Sequence, residues 1–408
     1  MRHTEDRSQV EIQKIVIFGA GKIGRSFIGQ LFGKSGYKIV FVDVDPVIIS
    51  MLNNQGCYRV VIKGEKEEEI IVKNVLAISA LDKSSVIDAV STAGIVAVSV
   101  GKNALEKVIP VIASGLKKRY NDNPDNPMDI ILAENMRSAA DFTKEQLIRN
   151  LPDGFPVDSY VGLIETSIGK MVPIMPLAEA EKDPLMVFAE PYNTLILDGK
   201  GFKSPIPDVQ GLAPKNNIKA WVDRKAFIHN LGHATAAYYG YFHHPEAVYI
   251  YEVLNDKKVS QFTREVMLQS AAILRAVYPD DFTLHELTVH IDDLLYRFSN
   301  EALLDTVFRV GHDLPRKLGA DDRFMGSIHL AELNNMPYHL IIKAMSYGFF
   351  FRARDEKGIL FQTDTLFLQA LSDDFESALI MHLGFDPIKD DSVGRELKDL
   401  FHKENNKS

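Results

Sequence analysis

The chain has 408 residues, 46% of them hydrophobic and 25% charged, which are the proportions of a globular protein with more than one domain. Its net charge is −9, and acidic and basic residues are mixed along the sequence. A nucleic-acid-binding protein needs a basic face, so nucleic acid is excluded as the main partner, although a few local Arg and Lys residues can still bind a small anion.

Cys57 is the single cysteine, so the chain can form no internal disulfide and no cysteine-based zinc site. The polar N-terminal segment, residues 1–13, lacks the apolar centre of a signal peptide. No apolar run reaches the roughly 18 residues that a membrane span requires. These features predict a cytoplasmic protein with no membrane partner.

Five short apolar runs, rich in Val and Ile, alternate with helical patterns in the first half of the chain. They lie at residues 14–18, 37–43, 94–100, 128–134 and 159–165. Runs of this length and composition are typical of strands buried on both faces. Alternation of such strands with helices predicts a parallel sheet covered by helices on both sides.

The pattern changes at about residue 166. Prolines recur as far as residue 214, and residues 194–198 form a short predicted strand. From about residue 216, hydrophobic residues recur at helical spacing, for example over residues 259–278 and 364–383. We therefore predict an α/β domain with extra sheet elements at residues 1–205, followed by an all-α substrate and catalytic domain at residues 206–408.

A glycine motif follows the first predicted strand directly and opens a helix. The first glycine, Gly19, allows a tight turn, the second, Gly21, lets a pyrophosphate approach the backbone, and the third, Gly24, lets the helix pack on the strand. Free N–H groups at Lys22 and Ile23, where the helix starts, are predicted to bind the anion. The motif in this context predicts a Rossmann-type dinucleotide site, the alternative being a structural turn in another kind of α/β protein.

The second predicted strand ends in Asp43, 19 residues after Gly24. A carboxylate at this place can accept hydrogen bonds from both ribose hydroxyls of an adenosine, and it repels a 2′-phosphate. Asp45 adds to that repulsion, and no Arg follows immediately to offset it. The predicted cofactor is therefore NAD rather than NADP.

A polar stripe interrupts an apolar helical segment at residues 225–233. At about 100° per residue, four polar residues share one side of this helix. They are Lys225, His229, Asn230 and His233. The apolar side chains of Phe227, Ile228 and Leu231 occupy the other side. Such a stripe faces either water or a functional site.

The stripe contains the groups that alcohol oxidation requires. A lysine can act as a general base if burial lowers its pKa from about 10.4 toward neutrality. Lys225 is the candidate base, Asn230 offers an amide to the oxygen that gains charge, and His233 is a neighbour able to orient the lysine. Spacing alone leaves a solvated helix face as an equal alternative.

The spacing Lys-x4-Asn-x2-His resembles that of the polyol-specific long-chain dehydrogenases, the mannitol dehydrogenase family. Further similar segments lie at residues 18–31, 100–119, 131–136, 224–240 and 309–323. The resemblance implies a zinc-independent secondary-alcohol dehydrogenase in which Lys225 is the general base. Asn230 and Asn135 would bind the reacting oxygen, and His233 would hold the lysine in place. The resemblance also favours a monomer.

His229 is not part of the family pattern. Its pairing with His233 at i, i+4 is compatible with a metal site, but no acidic partner of familiar spacing accompanies it, and no metal is predicted. Two segments depart from the family pattern: Gly169 and Lys170 replace a common Asp-Arg pair, and His312 replaces an Arg. Both departures lie where substrate recognition is plausible, so they leave the identity of the polyol open.

Three basic residues close to His312 are candidates for binding a substrate phosphate. They are Arg316, Lys317 and Arg323. The alternative is a charged helix–loop junction that Asp321 and Asp322 balance.

The leading functional hypothesis is an NAD-dependent oxidoreductase that interconverts a polyol phosphate and a ketose phosphate, most simply mannitol 1-phosphate and fructose 6-phosphate. A dehydrogenase of an unphosphorylated polyol or of a hexuronate is the nearest alternative. A non-catalytic NAD-binding protein is the more distant one, since such a protein needs no base beside two oxygen-binding amides.

Overall fold

The computed structural model describes residues 13–406 and divides the chain into two compact units, which meet at Ile218 and Lys219. The absence of a signal peptide was predicted from residues 1–13. Except for Gln13, these residues lie outside the described part of the chain. Within the described part of the chain, no helix is long and apolar enough to cross a membrane.

Eleven strands are described in the first unit. They are β1 (Lys14–Phe18), β2 (Lys38–Asp43), β3 (Cys57–Ile62), β4 (Glu68–Lys73), β5 (Val75–Ser79), β6 (Ile95–Val98), β7 (Met128–Leu132), β8 (Val161–Ser167), β9 (Val187–Ala189), β10 (Leu195–Asp198) and β11 (Leu212–Lys215). Eight form one sheet, in the order β11-β10-β8-β7-β6-β1-β2-β5. From β5 to β8 every neighbouring pair is parallel.

These six parallel strands have the order of a doubly wound dinucleotide-binding sheet, with β1 at its centre. The five strands predicted in the first half of the chain are present, within a few residues at each end. At the far side of β8 the sheet continues with β10, which is antiparallel to β8, and with β11, which is parallel to β10.

Helices cover both faces of this sheet, as the alternating pattern predicted. They are α1 (Gln30–Lys34), α2 (Pro46–Gln55), α3 (Lys83–Ser91), α4 (Lys102–Asp122), α5 (Ala139–Asn150), α6 (Val157–Tyr160) and α7 (Leu177–Lys182), and a π-helical turn (Gly24–Gly29) leads into α1. Alternate residues of β1 enter two separate cores. Ile15 and Ile17 belong to the core that contains Leu31 of α1, whereas Val16 belongs to the core that contains Ile109 of α4.

The first unit extends beyond the predicted boundary at residue 205. The reason is β11, which hydrogen-bonds to β10 and therefore keeps residues 206–218 with the sheet. A separate small sheet has the order β4-β3-β9. The predicted strand at residues 194–198 corresponds to β10, whereas β3, β4, β5, β9 and β11 were not predicted.

The second unit is helical, which confirms the predicted fold class. Its helices are α8 (Ile218–Arg224), α9 (Leu231–His243), α10 (Ile250–Leu254), α11 (Lys257–Val277), α12 (Leu284–Phe298), α13 (Val307–Gly311), α14 (Leu314–Lys317), α15 (Met325–Leu333), α16 (His339–Ser346), α17 (Gln362–Asp373), α18 (Phe375–Leu383) and α19 (Asp391–Asn405). A π-helical turn (Lys225–Asn230) joins α8 to α9, and two 3-10 turns follow later (Glu301–Leu303 and Tyr347–Phe350).

Residues 364–383, which the sequence pattern predicted as continuous helix, form two helices. Asp374 separates α17 from α18 because its backbone is extended, with φ −152° and ψ 109°. Its carboxylate accepts hydrogen bonds from the N–H groups of Glu376 and Ser377, at 3.1 and 3.2 Å. These are the contacts of a helix N-cap, so a new helix starts there.

Candidate active site

The three glycines of the turn after β1 lie in different surroundings: the geometry of the turn requires Gly19 and Gly24, whereas Gly21 faces open space. Gly19 has φ +95°, a conformation that residues with a side chain rarely adopt. A Cβ atom on Gly24 would lie 1.9 Å from the carbonyl oxygen of Gly19, so the helix can pack on the turn only if residue 24 is glycine. A Cβ atom on Gly21 would meet no described atom within 4 Å, which leaves this side of the turn open to a ligand.

The helix that follows the turn starts at Lys22, and the N–H group of Arg25 donates to the carbonyl oxygen of Gly21 at 3.0 Å. The first N–H groups of a helix have no partner inside that helix. Those of Lys22 and Ile23 therefore lie where a pyrophosphate binds in a dinucleotide fold.

Asp43, at the end of β2, is attached to the glycine turn. Its Oδ2 accepts a hydrogen bond from the N–H group of Ala20 at 2.6 Å, and its Oδ1 accepts from Val44 and Asp45 at 2.7 and 3.0 Å. The carboxylate is thus held beside the turn, where it was predicted to bind ribose hydroxyls. Asp45 is exposed, and its side chain caps α2 by accepting from the N–H group of Val47 at 2.8 Å.

Asn135 lies beyond the end of β7 and is exposed. Because parallel strands end at the same edge of a sheet, the loops after β1, β2, β6 and β7 share the carboxyl edge of the first unit. This edge holds the glycine turn, Asp43 and Asn135. The residue before Asn135, Glu134, is buried, and the sequence analysis did not identify it.

In the second unit, Lys225 opens the π-helical turn that joins α8 to α9. The N–H group of Leu231 donates to the carbonyl oxygen of Ala226, five residues back, so the turn is wider than an α-helical one. Phe227, Ile228 and Leu231 are buried, as the helical pattern predicted. Lys225 remains half-buried.

Burial lowers the pKa of Lys225 to about 8. The neighbouring positive charges of Arg323 and Arg316 contribute to this lowering, and the negative charge of Asp322 opposes it. A lysine with this pKa has an accessible neutral form near physiological pH, which a general base requires. The side chain of Lys225 is half-buried, so part of it is exposed to solvent.

His229 does not belong to an exposed face of the helix. It is buried, and its ring lies 5.4 Å from that of Phe298, centroid to centroid. Burial holds the pKa of His229 well below its ordinary value, and the positive charges of Arg297 and Lys225 add to this effect. His229 is therefore a neutral residue of the core, which corrects its assignment to a polar face.

His233 stacks on Phe298, with ring centroids 4.4 Å apart and planes 6° from parallel. Its Nε2 lies 3.6 Å from Oδ2 of Asp305, a buried carboxylate that also forms an ion pair with Arg309. Burial, followed by the charges of Arg309 and Lys317, holds the pKa of His233 well below its ordinary value. His233 is thus fixed in place, and its contact with Lys225 stays a prediction.

The structure places the three candidate phosphate-binding residues in different surroundings. Arg323 is buried, and its guanidinium donates to Asp322 at 2.8 Å and to the carbonyl oxygen of Asn230 at 3.3 Å. Lys317 is also buried, and its Nζ donates to the carbonyl oxygen of Val310 at 2.7 Å. Arg316 is exposed and pairs with Asp313 at 2.5 Å, which makes it the most accessible of the three.

Lys170, one of the two departures from the family pattern, is buried in the first unit. Its Nζ donates to the carbonyl oxygen of Tyr192 and to Oδ1 of Asn193, both at 2.9 Å. It therefore connects the segment after β8 to the loop before β10. His312, the other departure, stacks on Phe308 in the second unit, with ring centroids 4.9 Å apart.

Three acidic residues in these surroundings were not identified from the sequence as parts of a site: Glu134, Asp305 and Asp322. Asp322 was noted only as a charge that balances its neighbours, although it contacts Arg323 directly. Asp305 is 72 positions from His233, and no local pattern joins them.

Among residues 13–406, no group of three or more His, Cys, Asp or Glu side chains is placed to hold a metal ion.

The doubly wound sheet, its glycine turn with Asp43, and a helical unit that carries a lysine of lowered pKa define a dinucleotide-dependent dehydrogenase. The Rossmann domain of mannitol dehydrogenase matches residues 13–211, and the C-terminal domain of mannitol dehydrogenase matches residues 217–379. The chain therefore belongs to the mannitol dehydrogenase family. The predicted family and fold class are confirmed, and with them the NAD cofactor of a polyol dehydrogenase.

Similar solved structures include Pseudomonas fluorescens mannitol 2-dehydrogenase in a ternary complex with NAD and D-mannitol. Its TM-score is 0.67 at 16% sequence identity, with 96% of this chain and 95% of that chain covered. The 2-dehydropantoate 2-reductase of Geobacter metallireducens GS-15 has a TM-score of 0.51 at 12% identity and covers 82% of this chain and 98% of its own. Octopine dehydrogenase has the same TM-score and identity, with 82% and 88% covered. At these identities the likeness shows a shared fold.

Two alanine substitutions separate the packing role of the glycine turn from its binding role. Gly24→Ala places a Cβ atom against the carbonyl oxygen of Gly19, so we expect a lower melting temperature and NADH affinity at least ~10-fold weaker, equivalent to about 1.4 kcal/mol. Gly21→Ala creates no such overlap, so we expect an unchanged melting temperature and weaker NADH binding. Thermal unfolding and NADH fluorescence titration measure the two effects. Parent-like NADH affinity in Gly21→Ala contradicts the assignment of the pyrophosphate site.

Proposed function

We propose that this protein interconverts a polyol phosphate and a ketose phosphate, with NAD as cofactor and Lys225 as general base. The first candidate pair is mannitol 1-phosphate and fructose 6-phosphate, the reaction of a mannitol-1-phosphate 5-dehydrogenase. The observation that carries the proposal is the half-buried Lys225, whose pKa of about 8 suits proton transfer in a family of dehydrogenases.

NAD, when bound, supplies the hydride acceptor. The chain's own residues then handle the proton and the oxygen. Lys225 in its neutral form accepts the proton of the substrate hydroxyl, and in the reverse direction its ammonium form returns that proton. Asn230 and Asn135 donate hydrogen bonds to the oxygen as it gains charge, and His233 restricts the position of the lysine side chain.

The preference for NAD follows from Asp43. Its carboxylate is fixed beside the glycine turn by the N–H group of Ala20, so it cannot move away from a bound ribose without breaking that contact. It can accept hydrogen bonds from ribose hydroxyls, whereas a 2′-phosphate at the same place meets a negative charge.

Arg316 supports a phosphorylated substrate. It is exposed, and its positive charge contributes to lowering the pKa of Lys225, so it lies close enough to the base to influence it. A phosphate is recognised well by a guanidinium, which can make two parallel hydrogen bonds. Arg316 would have to exchange its contact with Asp313 for one with the phosphate.

An unphosphorylated polyol or a hexuronate is the second candidate. It is favoured by the ion pairs that Asp313 and Asp322 already make with Arg316 and Arg323, which reduce the positive charge open to a phosphate. The similarity to a mannitol 2-dehydrogenase points in the same direction. A non-catalytic NAD-binding role is disfavoured, because it gives no reason for a lysine of lowered pKa beside Asn230.

The role of Lys225 predicts a severe loss of turnover in Lys225→Ala. Positioned general-base catalysis contributes about 10²–10⁴-fold, so we expect kcat for polyol oxidation to fall at least ~10²-fold while NADH binding changes little. Lys219→Ala is the matched control, since Lys219 is an exposed lysine of α8 and should keep parent kcat. A parent-like kcat in Lys225→Ala would overturn the assignment of Lys225 as the general base.

Arg323 and Asp322 have opposite effects on the pKa of Lys225, so removing one charge or the other should move the pH dependence of the reaction in opposite directions. Oxidation needs neutral Lys225, so its rate rises with pH through about 8. Arg323→Gln removes a positive charge, which raises the pKa of Lys225 and moves this rise to higher pH. Asp322→Asn removes a negative charge and moves it to lower pH. The pH profile of kcat/KM measures both.

Asp321→Asn is the control for this pair, because Asp321 is exposed and lies in the same segment. It should leave the profile in place. Movement of the Arg323→Gln and Asp322→Asn profiles in the same direction would mean that a group other than Lys225 limits the rate.

A comparison of substrates decides between the two candidate classes. If Arg316 binds a phosphate, mannitol 1-phosphate should be oxidised with a much higher kcat/KM than mannitol, because a hydrogen bond to a charged group contributes about 1.5–3 kcal/mol. Arg316→Ala should then mainly raise KM for mannitol 1-phosphate and leave KM for mannitol nearly unchanged. Equal kcat/KM for mannitol or for a hexuronate would assign the protein to the second class.

A further inference from the structure

A buried carboxylate stands immediately before Asn135 in the chain. Glu134 is 4% exposed, and its Oε1 accepts two hydrogen bonds, from the N–H groups of Val100 at 2.8 Å and Gly101 at 3.1 Å. Val100 and Gly101 form the loop between β6 and α4. Glu134 therefore attaches the loop after β7 to the loop after β6.

The loop after β6 is in turn attached to the glycine turn. Oγ of Ser99 donates toward the carbonyl oxygens of Phe18 and Gly19, at 3.2 and 3.4 Å. A Cβ atom on Gly24 would also lie 3.1 Å from this hydroxyl. Ser99 and Glu134 thus connect three consecutive loops of the carboxyl edge, from the dinucleotide turn to the segment that carries Asn135.

A second carboxylate holds the other end of that segment. Glu165 of β8 accepts hydrogen bonds from the N–H groups of Ser138 and Ala139, where α5 begins. Ser138 has φ +53°, a left-handed conformation that a residue with a side chain adopts at a cost and keeps only when its surroundings fix it. The short turn containing Asn135 is therefore anchored on both sides by glutamates.

We propose that Glu134 is a positioning residue that aims the amide of Asn135 at the reacting oxygen. This inference rests on the oxygen-binding role proposed above for Asn135. A donor to a developing negative charge must be held within about 0.5 Å of its productive place, and an exposed loop residue needs a rigid support for that. Glu134 provides the support through the peptide bond that it shares with Asn135.

The contacts of Glu134 need an acceptor oxygen rather than a negative charge. Burial raises the pKa of its carboxyl group, and the N–H groups of Val100 and Gly101 oppose that rise. A glutamine side chain retains the acceptor oxygen, so Glu134→Gln should keep the loop in place. Glu134→Ala removes the support and leaves two N–H groups without their acceptor.

The test is a double-mutant cycle on kcat for polyol oxidation, with Glu134→Ala, Asn135→Ala and the double variant. Since an oxygen-binding donor contributes about 10²–10³-fold, misplacing it should lower kcat by at least ~10-fold in Glu134→Ala. KM for NAD should stay near the parent value, and Glu134→Gln should recover most of the kcat. The double variant should be no slower than Asn135→Ala alone, because Glu134 would act only through Asn135.

Asp129 provides a matched control on the same strand. It is buried and accepts two backbone hydrogen bonds, from Lys203 and Ser204 at 2.7 and 3.1 Å, but near the amino end of β7. Asp129→Ala should lower the melting temperature and keep kcat. If it lowers kcat as much as Glu134→Ala does, loss of strand stability explains both and the inference is overturned.

Other outcomes separate this inference from the proposed function. If the losses of kcat from Glu134→Ala and Asn135→Ala are additive in the double variant, the role of Glu134 is overturned and the role of Asn135 is unaffected. A parent-like kcat in Asn135→Ala removes both roles, while Lys225→Ala still tests the base. If Glu134→Ala does not fold, Glu134→Asp replaces it in the cycle, because its shorter side chain withdraws the oxygen from the two N–H groups. A kcat for Glu134→Asp equal to that of Glu134→Gln then overturns the inference.

Discussion

The desolvation of one ammonium group is the constraint on which the proposed chemistry depends. An ordinary lysine is fully charged at neutral pH and cannot accept a proton, and the largest cause of the lowered pKa of Lys225 is its burial in the helical unit. In the proposed mechanism, the surrounding helices therefore contribute by desolvating Lys225, as well as by forming a core.

Nearby charges also change the pKa of Lys225. Arg323 repels the ammonium form of Lys225, yet it is itself paired with Asp322 and donates to the backbone of Asn230. One guanidinium thus influences the pKa of the proposed base and supports the turn that carries Asn230, the proposed oxygen-binding amide. A cation in this place would be costly to bury alone, and Asp322 makes its burial tolerable.

The sequence predicted those features that depend on local rules. Buried parallel strands are continuous apolar runs, so β1, β2, β6, β7 and β8 could be recognised. The glycine turn and Asp43 could be assigned because their spacing follows from the geometry of a dinucleotide-binding turn. The small sheet of β3, β4 and β9 was missed because β4 has charged residues at both ends, β9 is only three residues long, and β3 and β9 pair across more than a hundred positions.

Side-chain environments were less predictable. In the sequence, Lys317 and His229 are polar residues, and nothing near them in the chain indicates that both are buried. His229, for example, packs against Phe298 of α12, a helix that is distant in the chain. The contacts of Glu134 with Val100 and of His233 with Asp305 join separate segments, so no spacing in the sequence reveals them. Tertiary packing decided these positions, and local propensity carries no information about it.

The π-helical turn at Lys225–Asn230 has a consequence for how this enzyme can change over evolutionary time. A π turn is equivalent to one extra residue in an α-helix, so deleting a residue here would restore regular hydrogen bonding. A mutation that made the turn regularly α-helical without a deletion would instead rotate Lys225 by about 100° relative to His233 and the core residues of α9, because the wide turn would no longer absorb the extra residue. Mutations that make the helix regular in this way therefore work against the arrangement of the proposed base, and selection for the proposed activity would retain a helix that is locally imperfect. The first unit has the same irregularity at Gly24–Gly29, next to its dinucleotide turn.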